Sequence, residues 1–262
     1  EGNVHLKNIP LLAGKSYKLH LMLLLAASNM NSEAFAKFKS ILESVVYYTV
    51  IDKIATNITE RTFALWCRDV RNIVTAEDLD CFVKNTIIPT VNDWKLDNKS
   101  NFLRLGLNSM QQYRIKFILG KITAYVDALK LGKTTVEDLT TYTETAVEIE
   151  HIMPQTCTDK GLYGMNEEEF SVYINRLGNL TLLENTINRS IQNDVYANKA
   201  TYYKQSKFYI TSSISELVNL GQDTAINRTN SLLSSWSDWN KQAIEERQEM
   251  FYRLSEMIWE LR

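Results

Sequence analysis

The decapeptide TAVEIEHIMP, residues 145 to 154, is where this chain stops reading as helix. It alternates in part and is β-branched, which predicts a strand running to Met153 and ended by Pro154. NLTLLE, residues 179 to 184, predicts a second short strand. Elsewhere apolar residues recur at helical spacing. Three prolines and nine glycines in 262 residues leave few turn signals, which favours long helices over a turn-rich β architecture. The predicted class is mainly α, a helical scaffold with one small β element embedded in it.

Residues 1 to 14 read as a lead-in with Pro10 and Gly14 as breakers. SYKLHLMLLLAAS, residues 16 to 28, is too apolar for a surface helix and predicts a buried one, with His20 a satisfied core histidine. Phe35, Phe38, Ile41, Leu42, Val45 and Val46 give residues 32 to 50 one apolar face. Asn57 with Glu60, and Thr75 with Asp78, have capping-box spacing and predict helices over 58–70 and 76–86. Leu103, Leu107, Met110, Ile115 and Ile118 predict a long helical stretch over 101–130, stopped by Gly132, and Thr135 with Asp138 predicts a further turn. Beyond the first strand, Asn166 with Glu169 starts a helix that Gly178 ends. A helix over 192–208 is expected to turn Val195, Tyr202 and Tyr203 inward, and Ser213 with Glu216 to start a short one. Ile244, Phe251, Leu254, Ile258 and Leu261 form a last buried stripe. The expected organisation is a helical scaffold domain over 1–144, a core over 145–210, and C-terminal helices over 211–262 packing on that core.

A net charge of -2 offers no general basic surface, so any phosphate-binding surface must be local or belong to a longer protein. Glu1 in place of an initiator Met fits a fragment. Cys67, Cys81 and Cys157 are scattered and form no C-x-x-C pair, which argues against a disulfide framework and a structural zinc site and fits a reducing cytoplasm. The longest clean apolar run, Leu21 to Ala27, falls far short of the ~20 residues a membrane span needs.

Two stretches carry chemistry: VEIEHIMPQ, 147 to 155, and RLGNLTLLENTINRSIQND, 176 to 194. Phosphodiester hydrolysis requires that water lose a proton, that the phosphorane-like charge be neutralised, and that the leaving oxygen be stabilised. A neutral imidazole takes the proton near pH 7, and a divalent cation on hard oxygens serves the other two needs. His151 is the expected base, Glu150 the carboxylate on the cation, and Asn188 an amide oxygen on the same ion. Glu150 and His151 point to opposite faces of a strand, so these roles require the strand end to bend. Asn179 is expected to fix the tautomer and tilt of His151 through side-chain or backbone contacts. Arg189, Lys199, Lys204 and Lys207, interleaved with tyrosines, predict a phosphate-contacting helix; an amphipathic helix with aromatic core residues is the plainer alternative.

EIEHIMPQ followed by GNLTLLENTINRSIQN resembles the C-terminal nuclease domain of GmrSD-type modification-dependent restriction enzymes, an HNH branch with a His-x-x-Pro signature. The interval between the two asparagines is also similar to that in the HNH domain of RNA-guided CRISPR nucleases. The resemblance implies a ββα-metal (HNH) core and Mg²⁺, Mn²⁺ or another divalent cation as cofactor. It implies Glu150 and Asn188 as ligands, His151 as base, Asn179 as orienting residue, and Asn193 where many HNH proteins carry a further ligand. It implies a restriction or anti-phage defence protein that nicks or cleaves DNA, modified phage DNA in particular, leaving 5′-phosphate and 3′-hydroxyl ends. A nucleotide-hydrolysing N-terminal domain, of which this sequence has no sign, is the expected partner. A reading from another class is a helical binding or regulatory module with a decayed nuclease core, docking a partner through residues 1 to 144.

Overall fold

A computed structural model describes residues 3–134, 138–157, 160–191 and 193–262. They form two compact units, residues 1–102 with 259–262, and residues 103–258.

The first unit is helical. The expected lead-in is a helix, α1 (Val4–Ala13), because the Asn3 side chain accepts from the N–H groups of His5 and Leu6 and so caps it. Pro10 stands in its last turn without ending it. α2 (His20–Ala26) is shorter than the apolar run predicts, since residues 27–29 tighten into a 3₁₀ turn. His20 is buried, but its Nδ1 has no hydrogen-bond partner among the described residues, and its ring stacks on Tyr17. α3 (Ser32–Ile51) buries Phe38, Ile41, Leu42, Val45 and Val46 as their spacing requires. α4 (Thr56–Val70) starts ahead of Asn57, whose side chain reaches only the Ile58 N–H, so no capping box forms there. The box of Thr75 and Asp78 does form and opens α5 (Ala76–Phe82). A π turn over 83–87 then carries the chain into α6 (Ile88–Trp94), admitting Pro89 to the first turn of that helix. α7 (Asn98–Phe102) completes the run, and Trp259 stacks on Tyr47 at 3.8 Å between ring centroids.

The second unit is built on α8 (Gln112–Lys130), which buries Ile115, Ile118, Leu119, Ile122 and Val126. The helix starts at Gln112 rather than near 101 because the preceding segment is taken by another partner. Leu107 N–H donates to the Asn175 carbonyl (2.9 Å), and Leu177 N–H to the Leu105 carbonyl (2.8 Å). α9 (Thr140–Thr143) follows; Thr135, expected to begin a turn, lies outside the described residues.

Two strands, β1 (Val147–His151) and β2 (Leu180–Glu184), pair antiparallel, with Val147 opposite Glu184, Glu150 opposite Thr181 and His151 opposite Leu180. β1 ends three residues before Pro154. β2 is buried on both faces from Leu180 to Leu183, so it reads as a continuous apolar run with one threonine, whose hydroxyl is matched by that of Thr211 at 2.6 Å. Between the strands lies α10 (Glu167–Tyr173), opened by the Asn166–Glu169 capping box. α11 (Asn185–Ile191) follows β2 directly and touches both strands. The fold is thus mainly helical with one small antiparallel sheet.

α12 (Tyr196–Tyr203) turns Tyr203 inward but leaves Val195 and Tyr202 exposed. α13 (Tyr209–Ser212) ends where a helix was expected to start, because the Ser213 hydroxyl donates back to the Tyr209 carbonyl and Glu216 pairs with Lys204. α14 (Ala225–Asn230) and α15 (Lys241–Ile258) close the unit, the latter burying Ile244, Phe251 and Leu254.

Candidate functional site

His151 ends β1, 8% exposed. The Gln155 amide nitrogen lies 2.9 Å from its Nδ1, and Asn175 Oδ1 faces its Nε2 at a long 3.4 Å. With Gln155 donating to Nδ1, the proton of the neutral ring belongs on Nε2, facing Asn175. Burial holds the His151 pKa below its ordinary value; Asn175 opposes this, and the Lys199 charge adds to it. The ring is therefore neutral near pH 7. Gln155 is exposed, so the Nδ1 edge is covered by one movable side chain.

Asn179 is fully buried and stitches the segment after His151 to the rest of the unit. Its Oδ1 accepts from the Met153 N–H (2.8 Å) and from Trp239 Nε1 (2.9 Å), and its Nδ2 donates to the Ile174 carbonyl (2.9 Å). Its own carbonyl accepts from the Ile152 N–H (2.9 Å). It reaches His151 through the backbone of 152 and 153, with no side-chain bond to the ring. α15 clamps the same turn: Arg247 Nη1 donates to the carbonyls of Gly178 (2.9 Å) and Leu180 (2.7 Å), and Gln248 Oε1 accepts from the Gly178 N–H (2.6 Å). Arg247 is wholly buried and has no carboxylate partner among the described residues; burial pulls its pKa to about 9, and the rings of Trp239 and Phe251 lie against it.

Glu150 turns the other way from His151, into the protein. Its Oε1 accepts from Lys199 Nζ (2.6 Å) and from the Tyr203 hydroxyl (3.0 Å), and Lys199 also donates to the His151 carbonyl (2.8 Å). Glu150 and Lys199 are 7% and 1% exposed. Lys199 therefore braces β1 from inside instead of facing a surface phosphate. Asn188 does not reach Glu150; its Nδ2 donates to Glu148 Oε2 (2.7 Å), one strand position pair earlier on the same face. Asn193 is exposed and holds Thr156. Arg189 is exposed, and Lys204 pairs with Glu216 at 2.8 Å on the surface.

Among the described residues no cluster of three or more His, Cys, Asp or Glu side chains could hold a metal ion. Glu148 with Asn188 is, among the described residues, a carboxylate–amide pair that would offer two hard donors. Both are half-buried, and a half-turn of the amide would present its oxygen. Such a pair suits a cation that keeps most of its waters, as Mg²⁺ does. The sequence reading missed Gln155 and Asn175. Gln155 stands in the HIMPQ run itself, four residues after His151, whereas Asn175 carries no signal at that distance in the chain.

The family model for GmrSD restriction endonucleases, C-terminal domain, matches residues 91–254, more than half of the chain. The chain belongs to this family. The GmrSD C-terminal match reaches far beyond the 145–210 core in which the resemblance was legible, and it takes in nearly all of the second unit. No curated protein matches the chain. No helix among the described residues is long and apolar enough to cross a membrane.

Proposed function

We propose that this chain is the DNA-cutting module of a restriction or anti-phage defence protein, hydrolysing phosphodiester bonds in modified phage DNA with His151 as general base. The observation that carries the reading is the state of His151. Its ring is neutral, the backbone that follows it is braced by the Asn179 network, and among the described residues its Nδ1 is closed off only by the exposed Gln155 amide. A water brought by substrate would displace Gln155 and find an acceptor there. Glu148 and Asn188, on the face of β1 opposite His151, would hold a divalent cation, Mg²⁺ or Mn²⁺ by the hardness of the donors, so its charge would reach the phosphate at His151 only around the end of the strand. Glu150, through Lys199, positions the His151 backbone. Membership of a restriction endonuclease family supports DNA as substrate. An N-terminal nucleotide-hydrolysing domain is the partner that this reading proposes.

One observation favours a second reading, a decayed core that serves as a binding module: the carboxylate beside His151 is already neutralised by a lysine. Plasmid nicking as a function of pH separates the two. His151 must be deprotonated to act, and its pKa is lowered, so the rate should hold as pH falls through 6.5 and decline only below it. A decayed module gives no nicking at any pH with Mg²⁺ or Mn²⁺. An acid limb above 6.5 would contradict the assignment of His151 as the titrating base.

A further inference from the structure

Arg104, Gly106, Asn108, Ser109, Asn175 and Arg176 line a cavity of about 210 Å³ in the second unit. It lies where residues 105–107 pair with 175–177. Two features distinguish it. Among the described residues neither guanidinium has an acidic partner. Arg176 instead lies over the Tyr173 ring, 4.2 Å from its centroid, which holds the planar fork in place without using its N–H groups. The second feature is the shared wall. Asn175 lines the cavity, and its Oδ1 faces His151 Nε2. The Asn175 backbone is fixed by Leu107, and only glycine fits at 106, where a Cβ would come within 2.1 Å of the Asn175 carbonyl oxygen. An anion in the cavity would lie one side chain away from His151.

We propose that this cavity seats a backbone phosphate of the DNA strand, a neighbour of the phosphate that His151 faces. The proposal rests on the nuclease reading above. Arginine forks pair bidentately with phosphate oxygens, and the exposed Asn108 amide adds a neutral donor. In a chain of net charge -2, two arginines with no acidic partner among the described residues make one cavity a local electropositive site where a general one is lacking.

The test is fluorescence anisotropy of labelled duplex DNA with the full chain carrying His151→Ala, so that binding is read without cutting. Arg104→Ala with Arg176→Ala should raise Kd at least about tenfold and lower the slope of log K against log salt by about 1–2. Lys133→Ala with Arg228→Ala removes the same charge elsewhere in the unit and should change neither by more than about twofold. Arg104→Lys with Arg176→Lys, which keeps the charge and guards against a folding defect, should restore the slope but only part of the affinity. An alanine pair that behaves like the control overturns the proposal. So does inorganic phosphate that protects the parent but not the alanine pair against thermal unfolding while DNA affinity is equal in both, because the cavity is then a free-phosphate site. Arginine-dependent DNA binding in a parent that cuts nothing with any divalent cation would support the cavity and remove the nuclease reading.

Discussion

Lys199→Met should lower the unfolding free energy of the second unit by about 3–5 kcal/mol, although methionine matches the lysine stem in length. The loss comes from what remains behind. Glu150 is 7% exposed, and Lys199 is its sole cationic partner among the described residues, at 2.6 Å. Without the ammonium, a carboxylate stays inside with only the Tyr203 hydroxyl, and the His151 carbonyl loses a donor. Glu150→Gln combined with Lys199→Met should recover most of the loss, since two neutral groups of similar shape leave no buried charge. Urea unfolding of the parent, both single variants and the double variant gives the coupling directly. A loss below about 1 kcal/mol for Lys199→Met would place this contact with ordinary surface pairs and remove its bracing role. Since the Lys199 charge helps hold the His151 pKa down, the same substitution should move the acid limb of nicking upward in pH.

Gly178→Ala should be nearly as damaging, by about 3 kcal/mol, with a fall in Tm of about 6–12 °C. Gly178 is not in a left-handed conformation, so backbone freedom is not the reason. A Cβ there would stand 2.2 Å from the Ile244 carbonyl oxygen and 3.1 Å from the Gln248 nitrogen, both backbone atoms of α15. A helix cannot yield locally as a long side chain can, so α15 must back away. In doing so it loosens the Arg247 and Gln248 bonds to residues 178 and 180. Asn179 is the next residue, so the disturbance reaches the segment after His151. Thermal unfolding by circular dichroism reads the first effect; a Tm within about 2 °C of the parent would show that α15 is not held as closely as described.

The residues that were legible are those whose partners lie a few positions away. The 3, 4, 7 spacing of Phe38, Ile41, Leu42 and Val45 is a local fact, and α3 follows from it. The capping boxes at Thr75 and Asn166 formed because Asp78 and Glu169 sit three residues on and reach back. Both strands were placed to within two residues because β-branched and apolar runs bounded by Pro154 and Gly178 have few other uses. The errors came from competition at long range. Residues 105–107 have helical periodicity but pair with 175–177 instead. Glu150 and Lys199 are joined across 49 positions, so a carboxylate beside a histidine gave no hint that a lysine already held it. Glu148 received no part because only its contact with Asn188, 40 positions away, singles it out.

The most direct test of the whole account is cleavage of supercoiled plasmid DNA in Mg²⁺ or Mn²⁺ by the parent and by His151→Ala of equal Tm. The account predicts nicking by the parent and a loss of at least about 10²–10⁴-fold in the variant, the range a positioned base contributes. Equal rates in the two proteins would contradict it.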